Sequence, residues 1–473
     1  MNDNKSGLKK VLGKWDVLAL GFGAIIGWGW LSMGGYWIST AGSLGACLSF
    51  AVAGLMIIFV GLAFCELSSA MPKAGGVMNY TWRAFGPKVS FFSAWMLTLG
   101  YVAMTAWEGI ATVAAVDFLF PTENGSALYS VAGQDVYLLS LVIALVAAAI
   151  MFFLTYRGID TIAKFQNASI VIMVVVVIIF AVFAFIKGDV HNLEPTFPNG
   201  IKGSVSIMLM CVLFLGGFDT IPQVAEEMNL PRKMVGKLVL TSILLALLWY
   251  FITILATAIS LTQEQLGGAT LAAGTAMDVV FGSEWAGKLL VVSGILGILT
   301  SWVALYIGAT RLLFGMARVG MLPEAFSKLH PKYNTPHVAT CVVGMLTFIA
   351  PFFGRQALQW LSNAGGWAIN LGFGMAALSF LVLRFKEPDM ERPYRVPCGK
   401  VVGFLAVAMS FTLVIMCLPG VSTFSLVWPH EAGIVIAWFV VGAILFALSN
   451  KTGRFKNVDK NIRQVVLGDQ AEK

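Results

Sequence analysis

Apolar residues run along this chain in long stretches, each closed off by a short polar or glycine-rich break. Twelve such stretches lie near 15–38, 44–69, 89–119, 136–155, 164–186, 203–226, 236–260, 288–316, 337–353, 358–384, 401–418 and 432–449. A helix needs ~20 apolar residues to cross the hydrocarbon core of a bilayer. A transmembrane barrel would instead show short segments of alternating polarity. The pattern therefore predicts an all-α polytopic membrane protein with twelve transmembrane helices.

Two of these stretches carry glycine where a plain span would carry leucine. The first reads GFGAIIGWGWLSMGG, residues 21–35. The second reads FLGGFDTIPQVAEE, residues 214–227, five spans later. Glycine costs a helix interior about 1 kcal/mol relative to alanine, so two clusters at matched places call for a reason. Close packing of neighbouring helices on small residues is one. The other is a broken helix, tolerated in a bilayer only where it is buried in protein or lines a water-filled cavity. Matched breaks in two halves of a chain point to a transporter's binding site. Their spacing fits a 5+5 inverted repeat with broken helices 1 and 6. The expected organisation is a segment 1–14, a first repeat 15–186, a second repeat 203–384, a pair of spans 401–449 and a tail 450–473.

A broken helix exposes backbone chemistry. At Trp28 and Gly29 a new helix start would present N–H donors suited to a carboxylate. Carbonyls left at Ile25, Ile26, Leu213, Phe214 and Gly216 would suit an ammonium. A zwitterion with adjacent amino and carboxylate groups fits both ends.

Charge sets the orientation. Only 12% of the 473 residues are charged, against 58% hydrophobic. Of the 31 Lys and Arg, 27 fall on the side of the termini and even-numbered loops. Lys187, Lys202, Lys288 and Arg355 fall on the other. Positive charge stays cytoplasmic, so both termini are expected inside a cell membrane. The net charge of +7 is then an orientation signal and calls for no nucleic acid. The tail KTGRFKNVDKNIR reads as solvated or in contact with anionic lipid. No cleavable signal peptide is evident. The six cysteines have no metal-ligand spacing, and no histidine lies mid-span, so no metal or cofactor is expected.

Carboxyls inside spans are functional candidates by default. Glu108 lies well inside the third span, and Asp219 just past the second break. Each is read as an ammonium partner, a proton carrier or a hydrogen-bonding hub. Glu66, Glu226 and Glu227 sit at cytoplasmic span ends. They are read as solvated surface groups or as gate salt bridges to Arg157, Arg232 or Lys233.

Six motifs in order carry a resemblance. They are GFGAIIGWGW, ELSSAMPKAGGVMNYTWRAFGP, TYRGIDTIAKFQN, FLGGFDTIPQVAEEMNLPRK, ATRLLFGMARVGMLPEAFSKLHPKYNTP and LRFKEPDMERPYRVP. With this topology the chain resembles the amino acid–polyamine–organocation (APC) superfamily across nearly its whole length. The resemblance implies alternating access by two repeats, with the last two spans outside them, often at a homodimer contact. It implies that Ile25, Gly27, Trp28 and Gly29 form a main-chain clamp. Leu213, Gly216 and Asp219 match positions of the sixth span that touch substrate or couple it to gating. Phe214 and Gly217 flank these and join the candidate site. Trp302 resembles a pocket tryptophan, with a packing role as the other reading.

Some proton-coupled relatives place a lysine in the middle of span 5, where sodium-coupled cousins hold sodium. Met173 stands there in this chain. Coupling to H+ or Na+ must then use other groups, with Thr300 and Ser301 as sodium candidates, or be absent, as in an exchanger. The large Trp28 fills pocket volume, stacks on a cation or faces a neighbouring helix.

The expected function is secondary transport of an amino acid through the bilayer. The alternatives are a cationic amine, polyamine or amino alcohol as cargo, a channel, and a non-transporting sensor. A membrane enzyme lacks a phosphate-binding loop and an intramembrane histidine. The loop PTENGSALYSVAGQDV has no cysteine for a disulfide-linked partner.

Overall fold

The computed structural model describes residues 8–120, 122, 126–421 and 425–468, without the side chain of residue 209. Parts of both tails and of the loop 121–136 therefore lie outside the described residues.

Glycine and proline end nearly every helix. The chain opens with α1 (Lys14–Ile26), α2 (Gly29–Ser32) and α3 (Gly34–Ala41), then α4 (Ser43–Ala70), α5 (Val77–Phe85) and α6 (Pro87–Leu119). A small hairpin of β1 (Tyr129–Val131) and β2 (Gln134–Val136) follows, paired antiparallel with Ser130 opposite Asp135. Next come α7 (Leu138–Arg157), α8 (Ile159–Lys187), α9 (Gly200–Phe214) and α10 (Thr220–Gln223). The chain continues through α11 (Arg232–Ser260), α12 (Gln263–Gly268), α13 (Ala272–Phe281), α14 (Glu284–Arg318) and α15 (His337–Ile349). It closes with α16 (Gln356–Lys386), α17 (Gly399–Met416), α18 (His430–Lys451) and α19 (Val458–Leu467).

Among the described residues, ten helical segments are long and apolar enough to cross a membrane, the first of them Lys14–Ser32. Two expected spans fall short of that length for visible reasons. The sixth stops at Phe214, where Gly216 and Gly217 begin. The ninth ends at Ile349 because Pro351 turns the last residues, Ala350–Phe353, into a tighter 3-10 turn. A proline removes one backbone donor and clashes with the preceding turn.

The packing places α1 at the centre, against α8, α11 and α14. Around it, α6 lies along α14 and α16, while α4 lies along α9 and α11. The outer helices α7, α8 and α18 present many exposed Val, Ile, Leu and Phe side chains. For a helix in lipid that surface is solvated by acyl chains and carries no penalty.

Short helices α5, α12 and α13 lie between long ones, in stretches expected to be loops. The first of them, VMNYTWRAF, is largely buried, although it mixes apolar residues with Asn79, Thr81 and Arg83. Such a composition hides it from a hydropathy reading. The tail is another departure. Instead of running free, α19 buries Val458 and Ile462 completely. Its Asp459 accepts a bond from the Trp82 indole N–H at 2.8 Å. Its Asn461 donates to the Val319 carbonyl at 3.0 Å.

Candidate substrate site

Both expected breaks are present. The first span stops at Ile26, Gly27 takes φ +29°, and a new helical turn starts at Gly29. The second stops at Phe214, Gly217 takes φ +112°, and helix resumes at Thr220. A φ in that range is open to glycine at little cost and to other residues only with strain.

The two breaks face each other. A Cβ on Gly217 would stand 2.6 Å from the Ala24 carbonyl oxygen, and one on Gly29 would run into the Phe214 ring. Glycine at these places lets two unwound backbones meet. The Tyr250 hydroxyl of α11 closes the junction, donating to the Phe214 carbonyl at 3.1 Å and lying 3.5 Å from the Ile25 carbonyl. Its ring stacks on Phe50 at 4.4 Å.

Which backbone groups are left over follows from this accounting. The Trp28 carbonyl accepts from Leu31 and Ser32, and the Gly29 carbonyl from Met33. The Leu213 carbonyl accepts from Gly216, so it is not the free acceptor expected of it. Among the described residues, and outside the helices' own ladders, no backbone partner meets the N–H groups of Gly27, Trp28, Gly29 and Trp30 or the carbonyls of Ile26 and Gly27; at the second break the same holds for the N–H groups of Phe218 and Asp219 and the carbonyls of Leu215 and Gly216. Gly27, Phe214 and Gly216 are half-buried, and Leu213 is 38% exposed beside Gly366. The junction is thus partly open at Gly27, Leu213, Phe214 and Gly216, while Ile26, Gly29 and Trp30 are buried.

The two intramembrane carboxyls sit on either side. Asp219 accepts from the Tyr101 hydroxyl of α6 at 2.6 Å. The same hydroxyl lies 3.2 Å from the Asp219 carbonyl. Glu108, two turns further along α6, accepts from the Ser301 hydroxyl of α14 at 2.5 Å. Ser301 lies against Gly27, its Oγ 3.4 Å from where a Cβ would stand. The Thr300 hydroxyl turns back to the Gly297 carbonyl at 2.9 Å.

The tryptophans divide. The Trp28 ring packs on Gly294 of α14, so of the three readings it is the neighbouring helix that this side chain faces. Trp302 is fully buried against Gly109, and its indole N–H has no partner among the described residues. Met173 lies against Gly297, which itself abuts the Gly27 carbonyl. A thioether thus stands beside the first break.

A family model described as amino acid permease matches residues 12–448. The chain belongs to that amino acid permease family. It is 28% identical over 453 residues to the branched-chain amino acid permease BcaP of Bacillus subtilis, covering 94% of each chain. It is 27% identical to the methylthioribose transporter of the same organism, again over 94% of each. The vacuolar cationic amino acid transporter 8 of Arabidopsis thaliana is 26% identical, over 94% of this chain and 73% of its own length.

In this permease the acidic span ends are neither solvated nor paired with Arg157, Arg232 or Lys233. Glu227 pairs with Arg311 at 2.8 Å, and Glu226 with Arg318 at 2.7 Å. Glu66 pairs with Arg384 at 2.5 Å and Arg392 at 2.8 Å. The partners come from α14, α16 and the loop after α16 because those segments converge on the basic end of the bundle. Arg311 lay inside a stretch read as a span, and a charge there was the signal for a buried partner. Tyr101 and Tyr250 carried no comparable signal, since tyrosines are ordinary in spans. Only the seven-residue spacing from Tyr101 to Glu108 hinted at one shared face.

Proposed function

We propose that this permease is a secondary active transporter that moves an amino acid across the cytoplasmic membrane by alternating access. In this reading α9 with α10 and α15 complete a set of twelve spans. Residues 15–186 and 203–384 form inverted repeats, and both termini are cytoplasmic. The observation that carries the proposal is the junction of the two broken spans, where partnerless backbone groups of both signs are concentrated.

The substrate carboxylate docks on the N–H groups of Gly29 and Trp30, with Trp28 shaping the turn. Its ammonium is held by the Ile26 carbonyl, beside Ile25, Gly27 and Phe214. Leu213, Gly216 and Gly217 shape the wall toward the second break. Asp219, held by Tyr101, orients that wall, and Trp302 closes the side toward α6. Backbone groups recognise what all amino acids share, so the side chain must be sorted by the surrounding pocket. The names of the relatives span branched-chain and cationic amino acids, which is consistent with such a division.

The four acid–arginine contacts stand at the basic end, and the partly exposed junction lies further along the bundle. This asymmetry supports a conformer closed to the cytoplasm. Rocking of the repeats would exchange these pairs for contacts at the other end. The outward faces of α17 and α18 are apolar and suit lipid or a second copy in a homodimer.

One observation favours a second reading. Glu108 is a carboxyl next to the break with a single hydroxyl partner, so a cationic amine, polyamine or amino alcohol would find a counter-ion there. Uptake and exchange of radiolabelled L-amino acids and diamines by the purified protein in liposomes separates the two. Saturable exchange of amino acids supports the first; exchange of diamines alone would replace it with the second.

A further inference from the structure

The Glu108 side chain is 3% exposed at mid-length of α6. Its Oε1 accepts from Ser301, while Oε2 has no partner among the described residues. Ser301 has one proton and three acceptors in reach: Glu108 Oε1 at 2.5 Å, the Ile298 carbonyl at 3.0 Å and the Gly297 carbonyl at 3.2 Å. It also touches Gly27, the residue at which the first span turns. One hydroxyl thus stands between a buried carboxyl and a backbone hinge, with two alternative directions in which to donate.

We propose that Glu108 and Ser301 form a proton-operated latch on the hinge of the first span. This rests on the transporter reading and supplies its coupling ion. With Glu108 ionised, Ser301 donates to it, and the charge-assisted bond ties α6 to α14 beside Gly27. A proton from water adds to the carboxylate, forming one O–H bond and taking the side chain from −1 to neutral. No other bond is made or broken. The carboxyl no longer competes as a charged acceptor, so Ser301 turns its proton to the Ile298 or Gly297 carbonyl. That releases the tie at the hinge. A neutral pair can also be enclosed when the repeats rock, whereas a buried bare charge is costly. Delivery of the proton to the other side resets the latch.

The surroundings leave Glu108 as the titrating group. On α14 the nearest ionisable residues are Lys288 and Tyr306, which flank the Ser301 region. On α16 they begin at Arg384, on α7 at Tyr156 and Arg157, and on α15 they are His337 and Cys341. On α5 they are Tyr80 and Arg83 at the basic end, and on α18 the nearest is Glu431, which binds Asn363. On α6 itself Tyr101 serves Asp219, and Asp117 pairs with Arg355 near the opposite end. The α8 segment contributes Met173 and no ionisable side chain between residues 165 and 186.

Two measurements test the latch. In pH-titrated infrared difference spectra, the wild type should show a carboxylic-acid C=O band that grows on acidification. The band should be missing in E108Q and displaced in frequency in S301A. In liposomes supplied with a radiolabelled L-amino acid mixture, E108Q should show a lower ratio of pH-gradient-driven accumulation to exchange than the wild type, with accumulation falling to the equilibrium level. If E108Q fails to fold, E108D and S301A carry the test, with E108D retaining a titrating band. A band that survives whole in E108Q overturns the latch. So does gradient-driven accumulation by E108Q equal to the wild type, or a band and coupling unchanged in S301A. Absence of any exchange by the wild type would overturn the transporter reading instead.

Discussion

Glu227 and Arg311 offer the sharpest test of the closed basic end. Their side chains are 2% and 0% exposed, and the contact is two-pronged, with Nη2–Oε1 at 2.8 Å and Nε–Oε2 at 3.3 Å. The Glu227 carbonyl also receives the N–H groups of Val11 and Leu12, which tie the N-terminal segment beneath the second broken span. Removing one partner leaves the other charge buried and unpaired, at a cost of about 3–5 kcal/mol. Removing both with apolar or neutral residues of similar size costs far less, because no charge is stranded. Thus E227Q and R311M should each lower thermal stability in detergent strongly, while E227Q/R311M should be no worse than either. If the loss falls on the closed conformer alone, about 3 kcal/mol shifts the closed-to-open ratio by ~100-fold. Alkylation of a single cysteine placed at the buried Thr220 would read that shift, with labelling from the basic side much faster in the single variants. Additive losses in the double variant, or labelling unchanged from the parent, would refute a gate made by this pair.

Gly29→Leu drives a side chain into the Phe214 ring. Such overpacking costs about 1–3 kcal/mol, and the variant should fold yet lose thermal stabilisation by any amino acid in a binding screen. Tyr250→Phe keeps the stack on Phe50 and removes the bond to the Phe214 carbonyl. A net loss of about 0.5–1.5 kcal/mol should weaken substrate affinity by a few-fold in uptake assays with little change in melting temperature. Gly217→Ala places a Cβ 2.6 Å from the Ala24 carbonyl at φ +112°. Strain of about 1–3 kcal/mol should lower stability and exchange rate together.

The breaks were legible because glycine is costly in a helix and therefore informative where it recurs. Membership of the permease family was legible from six short motifs in order. What those signals could not supply was the rotation of one span against another. Asp219 was singled out, but the tyrosine that holds it stands 118 positions away on α6. The arginines that neutralise Glu66, Glu226 and Glu227 lie between 84 and 326 positions off, and nearer basic residues were the natural but mistaken choice. Trp28 was legible as unusual and illegible in direction, since a residue beside a break has no helical face to read. The tail shows the same limit. Val458 and Ile462 are spaced i, i+4 on one helical side, yet the polar Asp459, Lys460 and Asn461 between them mask the stripe.

A break inside a bilayer must be satisfied by something, since each bare polar group there costs several kcal/mol. The protein supplies partners unevenly. Around the second break, Gly216 N–H bonds the Leu213 carbonyl, Thr220 N–H the Gly217 carbonyl, and Tyr101 and Tyr250 reach the Asp219 and Phe214 carbonyls. Around the first break, among the described residues, the N–H groups of Gly27 to Trp30 and the carbonyls of Ile26 and Gly27 have no backbone partner outside the helices, and around the second the same holds for the N–H groups of Phe218 and Asp219. Glycine at 27 and 29 adds no side chain over the groups of the first break, and the ring of Trp28 is turned onto α14. The ties from Tyr101 and Tyr250 fit the second break to serve as a wall, which leaves the longer run of donors at the first as the grip. A guest carrying both an anionic and a cationic group within a few bonds of each other completes the accounting, and a guest with only one leaves a bare group behind. On that reasoning, N-acetylated and esterified amino acids should each bind more weakly than the free zwitterion, by at least the ~1–3 kcal/mol of one unmet polar group. A thermal-shift comparison of the three would expose the error if either blocked form stabilised the protein as well as the free one.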